Sequence, residues 1–249
     1  WGLGTLLNAN RYTNRGNGMS RRRIGFWLCM VLAFAGCARF PEVPAERGVR
    51  RLMIEMQVAG RIRPEYHYFV VFNLSNDSTG SAGPLPVVSP PWGSGFASGA
   101  FTHYMRYASF LPQGGYALYR VEQGTENQPP PHVYLGVPIS VETVSANSNR
   151  LRFEIDITQF IPDERDARAM RFIQLNFITT DIIPTDPNTP VRKNGDSLGD
   201  ARIGEFRYLN LRIDQNRVVR NSDSLLEPAD DVADPDLDIV DWRVEVRTP

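Results

Sequence analysis

The sequence predicts an all-β protein: an antiparallel β-sandwich of about nine or ten strands with at most one short helix, preceded by a signal peptide. Three observations lead there. Several short runs alternate apolar and polar residues, as strands with one face in a core require. Nineteen prolines and twenty glycines punctuate the chain and argue against a long helical bundle. An apolar content of 42% over 249 residues is enough for a core and excludes a wholly disordered chain. The 27 basic and 28 acidic residues nearly cancel, so the strong positive field of most nucleic-acid binders is absent and no nucleic-acid partner is expected.

The chain divides into four parts. Residues 1–18 precede the first methionine, Met19, and read as upstream sequence or a mispredicted start. Residues 19–36 read as a signal peptide, with Arg21-Arg22-Arg23 ahead of an uncharged, mostly apolar run of twelve from Ile24 to Ala35. A membrane-spanning helix needs about 20 apolar residues, so this run is too short for a permanent span. Residues 37–49 form a tether with Pro41, Pro44 and Gly48. Residues 50–249 form a single sandwich domain.

The tetrapeptide Phe34-Ala35-Gly36-Cys37 resembles the lipobox of bacterial lipoproteins, with phenylalanine where leucine is usual. The resemblance implies that Cys37 is lipidated and becomes the first residue of the mature chain. The protein would then sit outside the cytoplasm in the cell envelope, its partner the membrane through the lipid anchor. Ala38 in place of aspartate favours the outer membrane in a two-membrane bacterium. Loss of residues 1–36 removes five arginines and no acid, leaving 22 basic against 28 acidic residues and a net charge of −6. Cys29 is lost and Cys37 acylated, so no disulfide is expected and stability rests on the core.

Along the domain, Leu52, Ile54, Met56 and Val58 alternate with Arg51, Met53, Glu55 and Gln57 to make a first strand. Residues 66–74 are apolar on both faces and predict a central strand. Residues 76–99 carry four prolines and several glycines and read as a long irregular loop. Strands follow over 101–110, 116–122, 133–137, 139–144 and 150–157; in the last, Leu151, Phe153, Ile155 and Ile157 oppose Arg152, Glu154 and Asp156. Pro162-Asp163-Glu164-Arg165 opens the one short helix. Strands over 171–180, 205–214 and 237–247 complete the set, with 181–199 a second loop.

Few residues suggest catalysis. His67, His103 and His132 show no zinc-ligand spacing, and Trp92-Gly93-Ser94-Gly95-Phe96 matches no nucleophile elbow. The sole lysine, Lys193, precedes Asn194 and cannot belong to a phosphate-binding loop. Glu154 and Asp156 share a strand face and suit either a glycosidase pair or plain solvent-facing charge. No catalytic residue is assigned and a non-enzyme is expected.

The densest chemical signal lies in residues 221–241, where eight carboxylates occur with no basic residue. Asp234-Pro235-Asp236-Leu237-Asp238 has the spacing of a calcium loop, yet Ile239 stands where an EF-hand needs glycine. Asp230, Asp231, Asp234, Asp236 and Asp238 are the candidate calcium ligands, against the competing reading of a solvated acidic loop. No other cofactor is expected. For sugar recognition, exposed rings are the physical requirement, and Trp92 and Phe96 in the long loop with Tyr104 in the next strand are the candidate ligand-binding residues.

The runs Tyr68-Phe69-Val70-Val71-Phe72-Asn73, Arg152-Phe153-Glu154-Ile155-Asp156-Ile157 and Asp234-Pro235-Asp236-Leu237-Asp238-Ile239-Val240 resemble DOMON-type and related carbohydrate-binding β-sandwiches, although the acidic segment stands at the end of this chain rather than the start. The resemblance implies a non-catalytic module that binds a polysaccharide or another envelope component. A structural or assembly lipoprotein docking an envelope protein is the alternative, and a glycoside hydrolase the third.

Overall fold

The computed structural model describes residues 50–249 apart from 123 and 125–129. The signal segment, Cys37 and the tether lie outside the described residues. In chain order the strands are β1 (Arg51–Val58), β2 (His67–Asn73), β3 (Pro84–Pro86), β4 (Ala97–Gly99), β5 (His103–Tyr107), β6 (Tyr116–Val121), β7 (His132–Gly136) and β8 (Ser140–Val141). They continue as β9 (Arg150–Asp156), β10 (Phe172–Thr180), β11 (Gly195–Ser197), β12 (Gly199–Asp200), β13 (Glu205–Phe206), β14 (Leu209–Arg212), β15 (Arg217–Arg220) and β16 (Ile239–Arg247). The helices are α1 (Glu164–Ala169) and α2 (Asn221–Ser224). Among the described residues, no helix is long and apolar enough to cross a membrane.

The protein is an all-β sandwich of antiparallel sheets. One sheet has the order β15-β16-β1-β9-β8, and the other β11-β10-β2-β5-β6-β7, with β14 also pairing β10. Strict alternation places Leu52, Ile54, Met56 and Val58 of β1 beside Leu151, Phe153 and Ile155 of β9 on the inner face of the first sheet. Tyr68, Val70 and Phe72 of β2, Met105 and Tyr107 of β5, and Leu175 and Phe177 of β10 form the facing layer. The two layers meet where Trp242 of β16 lies 5.9 Å from Phe177, with ring planes at 28°. Strand β2 is apolar on both faces because it is central, between β10 and β5, and its outer side is covered as well.

Several expectations change in detail. Sixteen strands are present among the described residues rather than nine or ten, because the additions are short pieces of two to four residues. The loop over 76–99 contains the hairpin β3–β4, and the strand expected over 205–214 breaks into β13, which pairs β12, and β14, which pairs β10. Residues 139–144 contribute only β8. Two short helices stand where one was expected. In α1, Asp163 accepts hydrogen bonds from the Arg165 and Asp166 amides, as its N-cap position demands; α2 is a single turn inside the acidic segment. In β16 a register shift opposite Gln57 and Val58 buries Ile239 and leaves Val240 partly exposed, so the residues between Ile239 and Trp242 do not follow simple alternation.

The outer face of the first sheet is a lattice of arginine and glutamate, with Arg150 pairing Glu142 at 2.7 Å and Arg243 and Arg247 both pairing Glu245. Half-exposed pairs of this kind contribute at most about 1 kcal/mol each. Replacing Trp242 by alanine should therefore cost about 3–5 kcal/mol of unfolding free energy in denaturant titrations. Arg150→Ala should change it by no more than about 1 kcal/mol.

Candidate metal centre

Part of the acidic segment leaves solvent. After α2 the chain turns back through Glu227, Asp231 and Asp238 before entering β16, and these three carboxylates are buried, as is Asp196 on β11. Asn221 fixes the entry: its side chain accepts from the Glu227 amide at 3.0 Å and donates to the Glu227 carbonyl at 2.7 Å. At the other end, the Thr179 hydroxyl on β10 donates to the Leu237 carbonyl at 2.6 Å and accepts from the Asp196 amide. The site thus sits where the end of β10 and the edge strand β11 meet the start of β16.

One oxygen of each loop carboxylate is held by a backbone amide. Glu227 Oε2 accepts from Gly199 at 3.1 Å, Asp231 Oδ2 from Ala201 at 2.7 Å and Asp238 Oδ2 from Asp230 at 3.1 Å. Asp196 accepts from the Ser197 and Ile239 amides at 2.8 and 2.7 Å. The second oxygens, Glu227 Oε1, Asp231 Oδ1 and Asp238 Oδ1, are buried with no hydrogen-bond partner. Asp196, Asp231 and Asp238 each offer one oxygen within 4.8 Å of the others. Among the described residues, no arginine, lysine or histidine pairs with any of the four acids.

Buried like charges with no counter-ion favour the protonated state. Burial, with Asp231 and Asp238 adding repulsion, pushes Asp196 up to about 8. Burial beside Asp196 and Asp231 pushes Glu227 up to about 11, and burial raises Asp231 as well. A divalent cation would supply the missing charge. All donors are hard carboxylate oxygens, which suit calcium or magnesium rather than zinc or copper. Calcium takes six to eight oxygens in flexible geometry at about 2.3–2.6 Å, which suits carboxylates fixed by separate backbone segments better than magnesium's strict octahedron.

Two of the five ligands expected from sequence, Asp231 and Asp238, belong to this cluster. Asp230 lends only its amide and leaves its side chain exposed. Asp234 accepts from the Tyr66 hydroxyl at 2.7 Å, and Asp236 accepts from the Arg61 amide and the Arg63 guanidinium, so both tie the segment to the β1–β2 connection instead. Asp196, the third member of the candidate group, was missed, as was the buried neighbour Glu227. Glu227 lies within the acid-rich segment, whereas Asp196 is far along the chain and no local spacing signals it.

The aromatic candidates are buried, which corrects the expectation of exposed rings. Trp92 is 2% exposed and its indole N–H donates to the Thr189 carbonyl at 2.8 Å, with the Lys193 ammonium 5.8 Å from the ring. Phe96 stacks on Phe69 at 4.2 Å, and the Tyr104 hydroxyl meets His132 Nδ1 at 2.7 Å. The outer face of β2 carries Phe69 and Val71, and the glycine-rich loop folds Phe96 onto them to remove that apolar surface from water. Of the acidic pair, Glu154 lies 3.7 Å from Arg51, and Asp156 caps the turn after β9 through the Thr158 amide and hydroxyl.

The protonation pattern has a consequence for the metal-free chain. Carboxyls raised in the folded state bind protons that the unfolded chain has released, so their contribution is complete below about pH 4 and fades as pH climbs through the folded values. His67 and His103, pulled down to about 4 by burial, act in the opposite sense but only below about pH 6.5. Lys193, lowered to about 8 by burial, titrates above neutrality. The melting temperature of chelator-treated protein should therefore fall from pH 6.5 to 7.5, and a rise over that interval would contradict the assigned burial.

Comparison with protein-family models, curated proteins and solved structures found no match to this chain.

Proposed function

We propose that the chain is an exported, lipid-anchored and non-catalytic β-sandwich, completed by one buried calcium ion, that binds a glycan or another component of the cell envelope. The observation that carries this reading is the set of buried carboxylate oxygens without partners on Glu227, Asp231 and Asp238. An unsatisfied buried acceptor costs about 1–3 kcal/mol, more when charged, and Asp231 and Asp238 each bring an oxygen within 4.8 Å of one on Asp196, an arrangement that a shared cation would satisfy. The sites of extracellular calcium modules have affinities of about 10⁻⁴–10⁻³ M, and a site outside the cytoplasm needs no tighter binding. The export and anchoring parts rest on the basic triplet, the apolar run and Cys37. The binding role rests on the resemblance of the strand runs to carbohydrate-binding β-sandwiches.

Calorimetric titration of calcium into metal-stripped protein should give one site. Saturation at about a hundredfold over Kd should raise the melting temperature by about 5–10 °C. Asp238→Asn should abolish this binding while leaving the metal-free fold no less stable, because it removes a buried charge and keeps an acceptor oxygen. Asp230→Asn should bind as the parent does. No heat and no thermal shift with calcium or magnesium would remove the cation from the proposal. Cys37→Ala should release the protein from the membrane fraction and abolish labelling by a fatty acid.

A further inference from the structure

The outer face of the second sheet carries an arginine without a counter-ion beside a row of tyrosines. Tyr104 of β5, Tyr119 of β6 and Tyr134 of β7 stand directly opposite one another across three neighbouring strands. Tyr104 and Tyr119 stack at 4.8 Å, and Tyr119 meets Tyr134 edge-on at 5.7 Å. Exposure grows along the row: Tyr104 is 4% exposed, Tyr119 partly buried and Tyr134 50% exposed. Two positions along β5 from Tyr104, Arg106 places its guanidinium 5.3 Å from the Phe110 ring and 5.9 Å from the Phe69 ring. Phe110 is itself 65% exposed. The Arg106 guanidinium donates to His67 Nδ1 at 3.3 Å, while its Nε–H has no acceptor. Among the described residues no carboxylate lies within ion-pair distance of Arg106.

We infer that this face binds an acidic polysaccharide, with Arg106 holding the carboxylate of a uronic acid and the exposed ring of Tyr134 receiving the apolar face of a neighbouring sugar. The inference rests on the proposed binding role and names its ligand class. A planar guanidinium is suited to pair with a carboxylate in two hydrogen bonds, and partial withdrawal from water strengthens that pairing. Strand spacing puts the Arg106 and Tyr134 backbones about 12 Å apart, room for a short stretch of oligosaccharide rather than a single small anion. A neutral glycan would leave the guanidinium without its charge partner, and an inorganic anion would leave the ring without contact. The complementary ligand therefore carries both a carboxylate and a carbohydrate face.

The test uses the full chain loaded with calcium and hexasaccharides built on glucuronate, galacturonate or mannuronate, each paired with its carboxyl-reduced form, in calorimetric titrations. At least one acidic hexasaccharide should bind, and its reduced form should bind at least tenfold more weakly. Arg106→Gln should cause a similar loss with the acidic sugar and none with the reduced one. Arg106→Lys, which keeps the charge and loses the fork, should fall between. Tyr134→Ala, at an exposed ring, should weaken both forms with the melting temperature unchanged. Equal affinity for acidic and reduced sugars, an unchanged Arg106→Gln affinity in a folded protein, or no binding of any acidic hexasaccharide would overturn the inference. Calcium binding is read in a separate titration, so a failed sugar experiment with an intact cation site rejects only the ligand class, whereas loss of both rejects the binding role as well.

Discussion

Burial of Asp196, Glu227, Asp231 and Asp238 at one point is the constraint around which the C-terminal third of the chain is arranged. Repulsion among carboxylates grows as water is excluded, and the site holds them through backbone amides of Gly199, Ala201, Asp230 and Ile239 rather than through basic side chains. Those amides belong to the β12 region, the loop before β16 and β16 itself. The orientation of each carboxylate therefore depends on the packing of segments that do not neighbour one another in sequence. A cation in the centre would join the edge strand β11 to the entry of β16, which pairs β1 along its whole length. Protons can neutralise the same charges in its absence, but they bridge oxygens one pair at a time and leave the others unsatisfied.

The remainder of the acidic segment is fixed by different means. Asp234 and Asp236 face Tyr66, Arg61 and Arg63 on the connection between β1 and β2, so the strand that opens the first sheet and the strand at the centre of the second both contact the segment that closes the fold. Tyr68 adds to this seam, accepting from the Arg63 amide and donating to the Asp236 carbonyl. A run that looks uniformly acidic in sequence thus divides into acids paired to arginine and tyrosine and acids gathered without a counter-ion. The division follows from which side of the chain each residue presents once Leu237 is packed into the core.

The two sheets treat their outer faces differently. On the first, charged residues alternate with the core positions and cover buried Met53 with Arg152, leaving a wet, salt-bridged surface. On the second, Phe69, Val71, Tyr104 and Ile178 form an outer apolar layer that the 84–99 region covers over only part of its extent. The covered part is a second small core. The uncovered part, toward β6 and β7, leaves tyrosines and Arg106 at the boundary with solvent, the environment in which aromatic and guanidinium groups are most effective in recognition.

Periodicity in the sequence determined the sandwich class, the central position of β2 and the inner residues of β1 and β9, because alternation with period two has one solution when one face is buried. The run Pro162-Asp163-Glu164-Arg165 also marked the helix start, since the capping by Asp163 depends only on residues two and three positions on. The short strands β3, β4, β11, β12 and β13 were not legible, since two or three residues carry no period and are defined by their partners. For the site, local density of acid marked Asp231 and Asp238, but equally marked Asp230, Asp234 and Asp236. Asp196 was invisible, because it reaches the cluster through the pairing of β11 with β10. The burial of Trp92 and Phe96 was likewise decided by tertiary structure. A glycine-rich loop specifies freedom to move, and only the folded chain decides where its rings come to rest, Phe96 on Phe69 at the outer face of β2 and Trp92 against Thr189 and Lys193.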